Sequence, residues 1–210
     1  MKSKASRMWR ALFIWSAVVL AIVVPIGAAL QSPLLAWREP IYIIAGLAGV
    51  IAMALILLQP LLMGGYLPGM ERPTGRRAHL WVGGLLIFAV IIHVMGLWIT
   101  SPPDVMDALM FVSPTSFSIW GVIAMWAVLL AGFVAAMRRR LPLKPRVWRQ
   151  VHAGFAIIVV IGSVVHAMLI DGTMETGSKA NLCIFVLLAT AKVVADLRIW
   201  KRKPRPTTQA

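Results

Sequence analysis

Residues 79–93 read HLWVGGLLIFAVIIH, and residues 152–166 read HAGFAIIVVIGSVVH. Each stretch is apolar and begins and ends with a histidine, and these are the only four histidines of the chain. A spacing of fourteen residues on an α-helix corresponds to a rise of about 21 Å and a rotation of roughly 1400°, about 40° short of four full turns. Both histidines of a stretch therefore face the same way at different depths.

Two such helices side by side would oppose His79 to His152 (the inner pair) and His93 to His166 (the outer pair). Imidazoles that approach from two sides can bind a haem iron axially, and helical bundles hold such cofactors between facing helices. The pattern predicts two stacked haems. Four glycines of these helices leave room for something flat and bulky or for another helix: Gly83, Gly84, Gly154 and Gly162.

Two other interpretations of the histidines stay open at this point. They could bond one helix to another, as polar residues in membrane bundles do. They could also bind protons or metal ions in a transport module without haem. A structural membrane anchor is disfavoured, because it has no need of histidines that match in spacing and depth.

The composition indicates an integral membrane protein. Sixty per cent of the residues are hydrophobic, the mean hydropathy is +0.85, and the apolar residues form long runs. Six of these runs are close to the roughly 20 residues that span a bilayer, which predicts an all-α bundle of six transmembrane helices. The predicted spans are residues 11–30, 41–63, 79–99, 117–137, 151–170 and 182–195.

The charges give this bundle an orientation. Eighteen of the 21 basic residues fall on one face of a six-span arrangement, and by the positive-inside rule that face is cytoplasmic. The expected location is a bacterial inner membrane, with both termini in the cytoplasm. The expected organisation is a basic N-terminus at 1–10, a transmembrane domain at 11–200 and a disordered basic tail at 201–210. The net charge of +14 is explained by topology and by contact with membrane lipid, and no nucleic-acid partner is expected.

Two arginines lie just before the first histidine stretch, and one lies just before the second. Arg76, Arg77 and Arg149 would cluster where the carboxylates of an inner haem or the phosphate of a flavin would lie, and the guanidinium fork suits both groups. The positive-inside rule explains the same residues without a ligand. Trp81 and Trp148 are expected to anchor the helices at the membrane interface.

The sequence contains no glycine-rich phosphate loop after a strand and no nucleotide-binding domain. We therefore expect this chain not to oxidise NAD(P)H itself, and to receive electrons from a partner or from quinol. The outer loop at 100–116, with Asp104 and Asp107, is the expected docking surface for an acceptor.

Three motifs carry a resemblance to a known family. They are GRRAH at 75–79 continuing to His93, PTSF at 114–117 followed by Trp120 and Gly121, and WRQVH at 148–152 continuing to His166. Over about residues 40–200 the chain resembles the ferric reductase-like transmembrane domain family. This family includes ferric reductases, NADPH oxidases and the haem subunit of the bacterial methionine sulfoxide repair system.

The resemblance implies two b-type haems that pass electrons from a cytosolic flavin to an acceptor outside. His79 and His152 would bind the inner haem iron, and His93 and His166 the outer one. The chain would then be an oxidoreductase component that lacks its own NAD(P)H and FAD domain. Its expected donor is a separate cytoplasmic flavoprotein reductase, with a flavin (FMN or FAD) on that partner or at the cytoplasmic face, and its expected acceptor is extracytoplasmic, such as ferric iron.

An alternative function within the same resemblance is a quinol- or flavin-linked haem subunit that feeds a periplasmic methionine sulfoxide reductase-type enzyme. Members of that repair-system subgroup can lack the first histidine of the first stretch. The presence of His79 therefore favours the two-haem type.

Overall fold

The computed structural model describes residues 4–197, and every regular element in that range is helical. Two short 3₁₀ turns lie at Pro33–Leu35 and Met137–Arg139. The α-helices are α1 Lys4–Leu30, α2 Pro40–Gly64, α3 Arg72–Thr100, α4 Pro102–Leu109, α5 Ser116–Ala136, α6 Pro145–Leu169 and α7 Thr176–Leu197. All except α4 are long and apolar enough to cross a membrane, which confirms the six predicted spans in a multi-pass membrane protein.

The helices extend beyond the apolar runs that predicted them. Helix α1 begins at Lys4 and α7 at Thr176, because the flanking polar residues of both are compatible with helix and only the apolar core was visible as a run. The outer loop also contains a helix, α4, which begins with Pro102 and has Asp104 in its first turn. The predicted tail at 201–210 lies outside the described residues.

Small residues bring the helices into two close pairs, α2 with α3 and α5 with α6. A Cβ atom on Gly96 of α3 would lie only 2.7 Å from the Cβ of Ala45 on α2. A Cβ atom on Gly162 of α6 would lie 3.1 Å from the Cβ of Ala124 on α5. Gly162 thus makes room for another helix, which was one of its two predicted roles.

Helix α2 is the most buried of the spans, and α7 packs against both α2 and α6 while α1 covers α2 and α7. In the described part of the chain, α3 and α6 make little direct backbone contact. The two helix pairs therefore enclose a gap between α3 and α6. Large apolar side chains on the outside of the bundle, such as Phe88, Phe133 and Leu188, are exposed as expected for a surface that faces lipid.

A polar cluster fixes one end of α7 to the α2–α3 connection. The Lys192 ammonium lies 2.8 Å from the Asp196 carboxylate, four residues along the same helix. The Tyr66 hydroxyl donates to the same carboxylate oxygen at 2.6 Å. Burial and this hydrogen bond raise the pKa of Tyr66 to about 12, so the phenol remains a donor at neutral pH.

Candidate functional site

Helices α3 and α6 bring the four histidines together as two facing pairs. The ring centroids of His79 and His152 are 6.1 Å apart, and those of His93 and His166 are 6.3 Å apart. Two imidazoles that bind one metal ion from opposite sides, with metal–nitrogen bonds of about 2.0 Å, have centroids roughly 6 Å apart. The inner and outer pairs therefore both have the separation that a shared metal ion requires, across a gap that the backbones leave open.

Hydrogen bonds orient both rings of the outer pair. His93 Nδ1 lies 2.8 Å from the carbonyl oxygen of Ala45 on α2, and His166 Nδ1 lies 2.9 Å from that of Phe117 on α5. A carbonyl can only accept, so each Nδ1 carries the proton and donates it. Nε2 then keeps its lone pair, which is the tautomer that binds a metal.

Two glycines that the sequence did not single out for this role allow those rings to approach the carbonyls. A Cβ atom on Gly49 would lie 3.0 Å from His93 Nδ1, and a Cβ atom on Gly121 would lie 2.7 Å from His166 Nδ1. Each glycine follows its acceptor carbonyl by one helical turn. Both glycines are visible in the sequence, but their role depends on a histidine of another helix and is therefore apparent only in the folded structure.

The inner pair is held differently. The Nδ1 atoms of His79 and His152 are buried without a hydrogen-bond partner, although the backbone carbonyls of Gln59 and Ala131 lie nearby. Ala45 and Gln59 are fourteen residues apart, as are Phe117 and Ala131, so the backbone carbonyls near the rings repeat with the spacing of the histidines themselves.

One turn after the acceptor carbonyls, the outer level has glycines but the inner level has Met63 and Ala135. The glycines of the outer level thus leave space beside the carbonyl that a side chain occupies at the corresponding inner positions. Because buried polar groups are normally satisfied, the two unpartnered inner Nδ1 atoms distinguish the inner pair from the outer pair.

An aromatic stack supports His152 instead. The Trp148 indole lies parallel to the imidazole, with centroids 5.3 Å apart and an interplanar angle of 6°. Trp148 in turn donates through Nε1 to the Val134 carbonyl at 3.2 Å, and the Arg138 guanidinium lies 4.5 Å from its ring centroid. The sequence analysis predicted Trp148 only as an interface anchor, although its position four residues before His152 places both side chains on one helix face.

A cavity of about 460 Å³ lies between the helix pairs at the level of the outer histidines. His93 and His166 line it together with apolar side chains such as Leu86, Val90 and Val128. Its size is in the range of cofactor and ligand cavities, which run from about 300 to 1,000 Å³. An apolar cavity between two opposed, correctly oriented imidazoles fits a flat, mostly apolar group with a metal at its centre, such as haem.

The remaining predicted site residues lie at the other end of the bundle. Arg76, Arg77 and Arg149 are exposed, each within one helical turn of an inner histidine. Among residues 4–197, no three His, Cys, Asp or Glu side chains converge as a metal site. The ligand sets that the described part of the chain offers are therefore histidine pairs, which suit axial binding better than a closed tetrahedral site.

One comparison with known proteins found a match. The family model described as "Ferric reductase like transmembrane component" matches residues 45–163. That range contains His79, His93 and His152, and it ends three residues before His166. Comparisons with curated proteins and with solved structures found no significant match. Because the family match covers more than half of the 210 residues, this multi-pass membrane protein belongs to the ferric reductase-like transmembrane family, whose members generally bind haem and transfer electrons across membranes.

Proposed function

We propose that this chain is a dihaem b-type cytochrome that carries electrons across the membrane. His79 and His152 bind the iron of an inner haem, and His93 and His166 bind that of an outer haem. The observation that carries this proposal is the presence of two facing histidine pairs, with centroids 6.1 and 6.3 Å apart, in a chain of this family. Bound at these two levels, the haems supply one-electron carriers at two depths in the membrane.

The protein's own contribution is to hold and insulate the ligands. The carbonyls of Ala45 and Phe117 keep the outer Nε2 atoms available for iron, and hydrogen-bonded imidazoles of this kind are more basic ligands. Mostly apolar side chains line the cavity around the outer rings. Trp148 restrains the His152 ring at the inner level.

In this proposal, electrons flow from the cytoplasmic face of the membrane to the opposite face. The basic residues near the α2–α3 and α5–α6 connections, including Arg76, Arg77 and Arg149, are assigned by the positive-inside rule to the cytoplasmic side of a bacterial inner membrane. The three arginines are exposed there and suit the carboxylates of the inner haem or the phosphate of a flavin. A basic surface also attracts an acidic partner, and we assign the donor to a separate cytoplasmic flavoprotein reductase and the acceptor to an extracytoplasmic species such as ferric iron.

The first test is the haem content of the purified full chain. A dithionite-reduced minus oxidised spectrum, combined with a haem-to-protein ratio, should show b-type haem at a ratio near two. A protein without a Soret band would contradict the proposal and favour proton or metal binding without haem. A ratio near one would contradict the two-site assignment.

The second test concerns the electron donor and separates a chain that is reduced by a flavoprotein from one that is reduced by quinol. Purified protein in lipid vesicles is mixed with either a flavoprotein reductase plus NAD(P)H or a reduced quinone, and haem reduction is followed by absorbance. We expect rapid reduction by the flavoprotein. Reduction by quinol alone would instead assign the chain to the alternative function, a haem subunit that feeds a periplasmic methionine sulfoxide reductase-type enzyme.

A further inference from the structure

A buried lysine stands out at the outer end of the bundle. Lys179 lies in the first turn of α7 and is only 5% exposed, and its ammonium donates to the Ile170 carbonyl at 2.7 Å. Lysine is almost never this buried unless it is paired, and an ammonium has three protons to donate. A cation near the N-terminus of a helix is also unfavourable with respect to the helix dipole.

The described residues do not supply the missing negative partner. Within 4–197, the recorded ion pair is Lys192 with Asp196, and no carboxylate of that range pairs with Lys179. Nearby Glu175 is exposed and accepts a hydrogen bond from the Ser178 amide. A buried cation with spare donors therefore has the capacity to bind an anionic group from outside the chain.

The position of Lys179 indicates where that group would come from, because this lysine lines the same cavity as His93 and His166. Asp104 and Asp107 also line the cavity, but both are exposed, and Asp104 accepts a hydrogen bond from the Ser101 hydroxyl. The cavity thus has exposed carboxylates on α4 and a buried ammonium on α7. A flat ligand with its own carboxylate would be directed to the Lys179 end.

We propose that the Lys179 ammonium binds a carboxylate of the cofactor held by His93 and His166, that is, a propionate of the outer haem. This inference rests on the proposed function and adds an anchoring residue to its outer site. The bond neutralises a buried charge on each partner, and hydrogen bonds to charged groups contribute more than neutral ones. Removing the lysine charge should therefore weaken retention of the outer haem specifically.

The test measures haem release from the full-length holoprotein in detergent to excess apomyoglobin. Lys179→Gln should release the outer haem roughly 10- to 100-fold faster than the wild type, as expected for loss of a charged hydrogen bond. Lys179→Arg should restore slow release, and Lys144→Gln, which changes an exposed lysine just before α6, should behave as the wild type. In a His93→Ala background, which is expected to lack the outer haem, Lys179→Gln should leave the remaining haem unaffected.

A second arm needs no variant. Wild-type protein reloaded with haem dimethyl ester, which has no free carboxylate, should release the ester from the outer site as fast as Lys179→Gln releases the outer haem. If the ester is retained as well as haem, Lys179 serves a free anion or the fold alone, and the proposal is overturned even where Lys179→Gln cannot be isolated. Equal release from Lys179→Gln and the wild type, each with two haems, would overturn it too. A wild type with fewer than two haems would instead count against the proposed function.

Discussion

The Trp148 indole and the His152 imidazole lie in parallel planes 6° apart, with their centroids separated by 5.3 Å. They are four residues apart on α6 and so share one face of the helix. The outer histidines are held by carbonyl oxygens of neighbouring helices, whereas this inner histidine is held by a neighbour on its own helix. The contacts that orient these rings thus differ between the outer and the inner level.

Trp148→Leu should loosen the inner site. Aromatic stacking contributes about 0.5–1.5 kcal/mol beyond burial, so we expect roughly 2- to 12-fold faster release of the inner haem, together with a changed low-spin electron paramagnetic resonance signal. Trp148→Phe keeps an aromatic ring beside His152, so it should release the inner haem almost as slowly as the wild type. Trp81→Leu is the matched control, because Trp81 lies near His79 but is 78% exposed. Release confined to the outer haem would show that the stack has no role at the inner site.

Replacing a histidine of the outer pair should remove one haem and spare the other. His93→Ala and His166→Ala are each expected to lower the haem-to-protein ratio by about half, because each leaves one iron with a single protein ligand. Haem is measured by the pyridine haemochrome assay on purified protein. His79→Ala should instead lose the inner haem and retain the outer one. If neither outer variant loses haem, the assignment of ligand pairs is wrong.

Gly121→Ala should disturb the outer site through crowding alone. The added methyl group would lie 2.7 Å from His166 Nδ1, so the ring must move away from the Phe117 carbonyl. Overpacking of this kind costs about 1–3 kcal/mol, and we expect reduced outer-haem content with inner haem intact. Gly27→Ala on α1, where the new Cβ meets nothing within 4 Å, is the control. Identical haem content in both variants would argue against the ring position described for His166.

The orientation in the membrane can be tested by cysteine labelling. Cys183 is buried and is replaced by alanine to remove background. In that protein, Asp107→Cys on the outer helix α4 should react with a membrane-impermeant maleimide on intact spheroplasts. Arg139→Cys, at the end of α5, should react only after the membrane is disrupted. The reverse pattern would place the basic face outside and invert the proposed direction of electron flow.

The spans and the histidine spacing were available from the sequence because both are local properties. Apolar runs about 20 residues long predict membrane helices without knowledge of any partner, and a fourteen-residue spacing predicts one helix face from helix geometry alone. The same local signals missed helix α4 and the polar ends of α1 and α7, because no apolar run marks them.

Only the tertiary structure determined the surroundings of each histidine ring. The carbonyls of Ala45 and Phe117 lie 48 and 49 residues from the histidines they orient, and the importance of Gly49 and Gly121 depends on those same distant partners. The burial of Lys179 beside the outer cavity likewise follows from how α7 packs, and its position in the sequence gave no sign of it. Hydrophobicity and helical period specify which residues face inward, but contacts between helices are set by packing across the whole bundle.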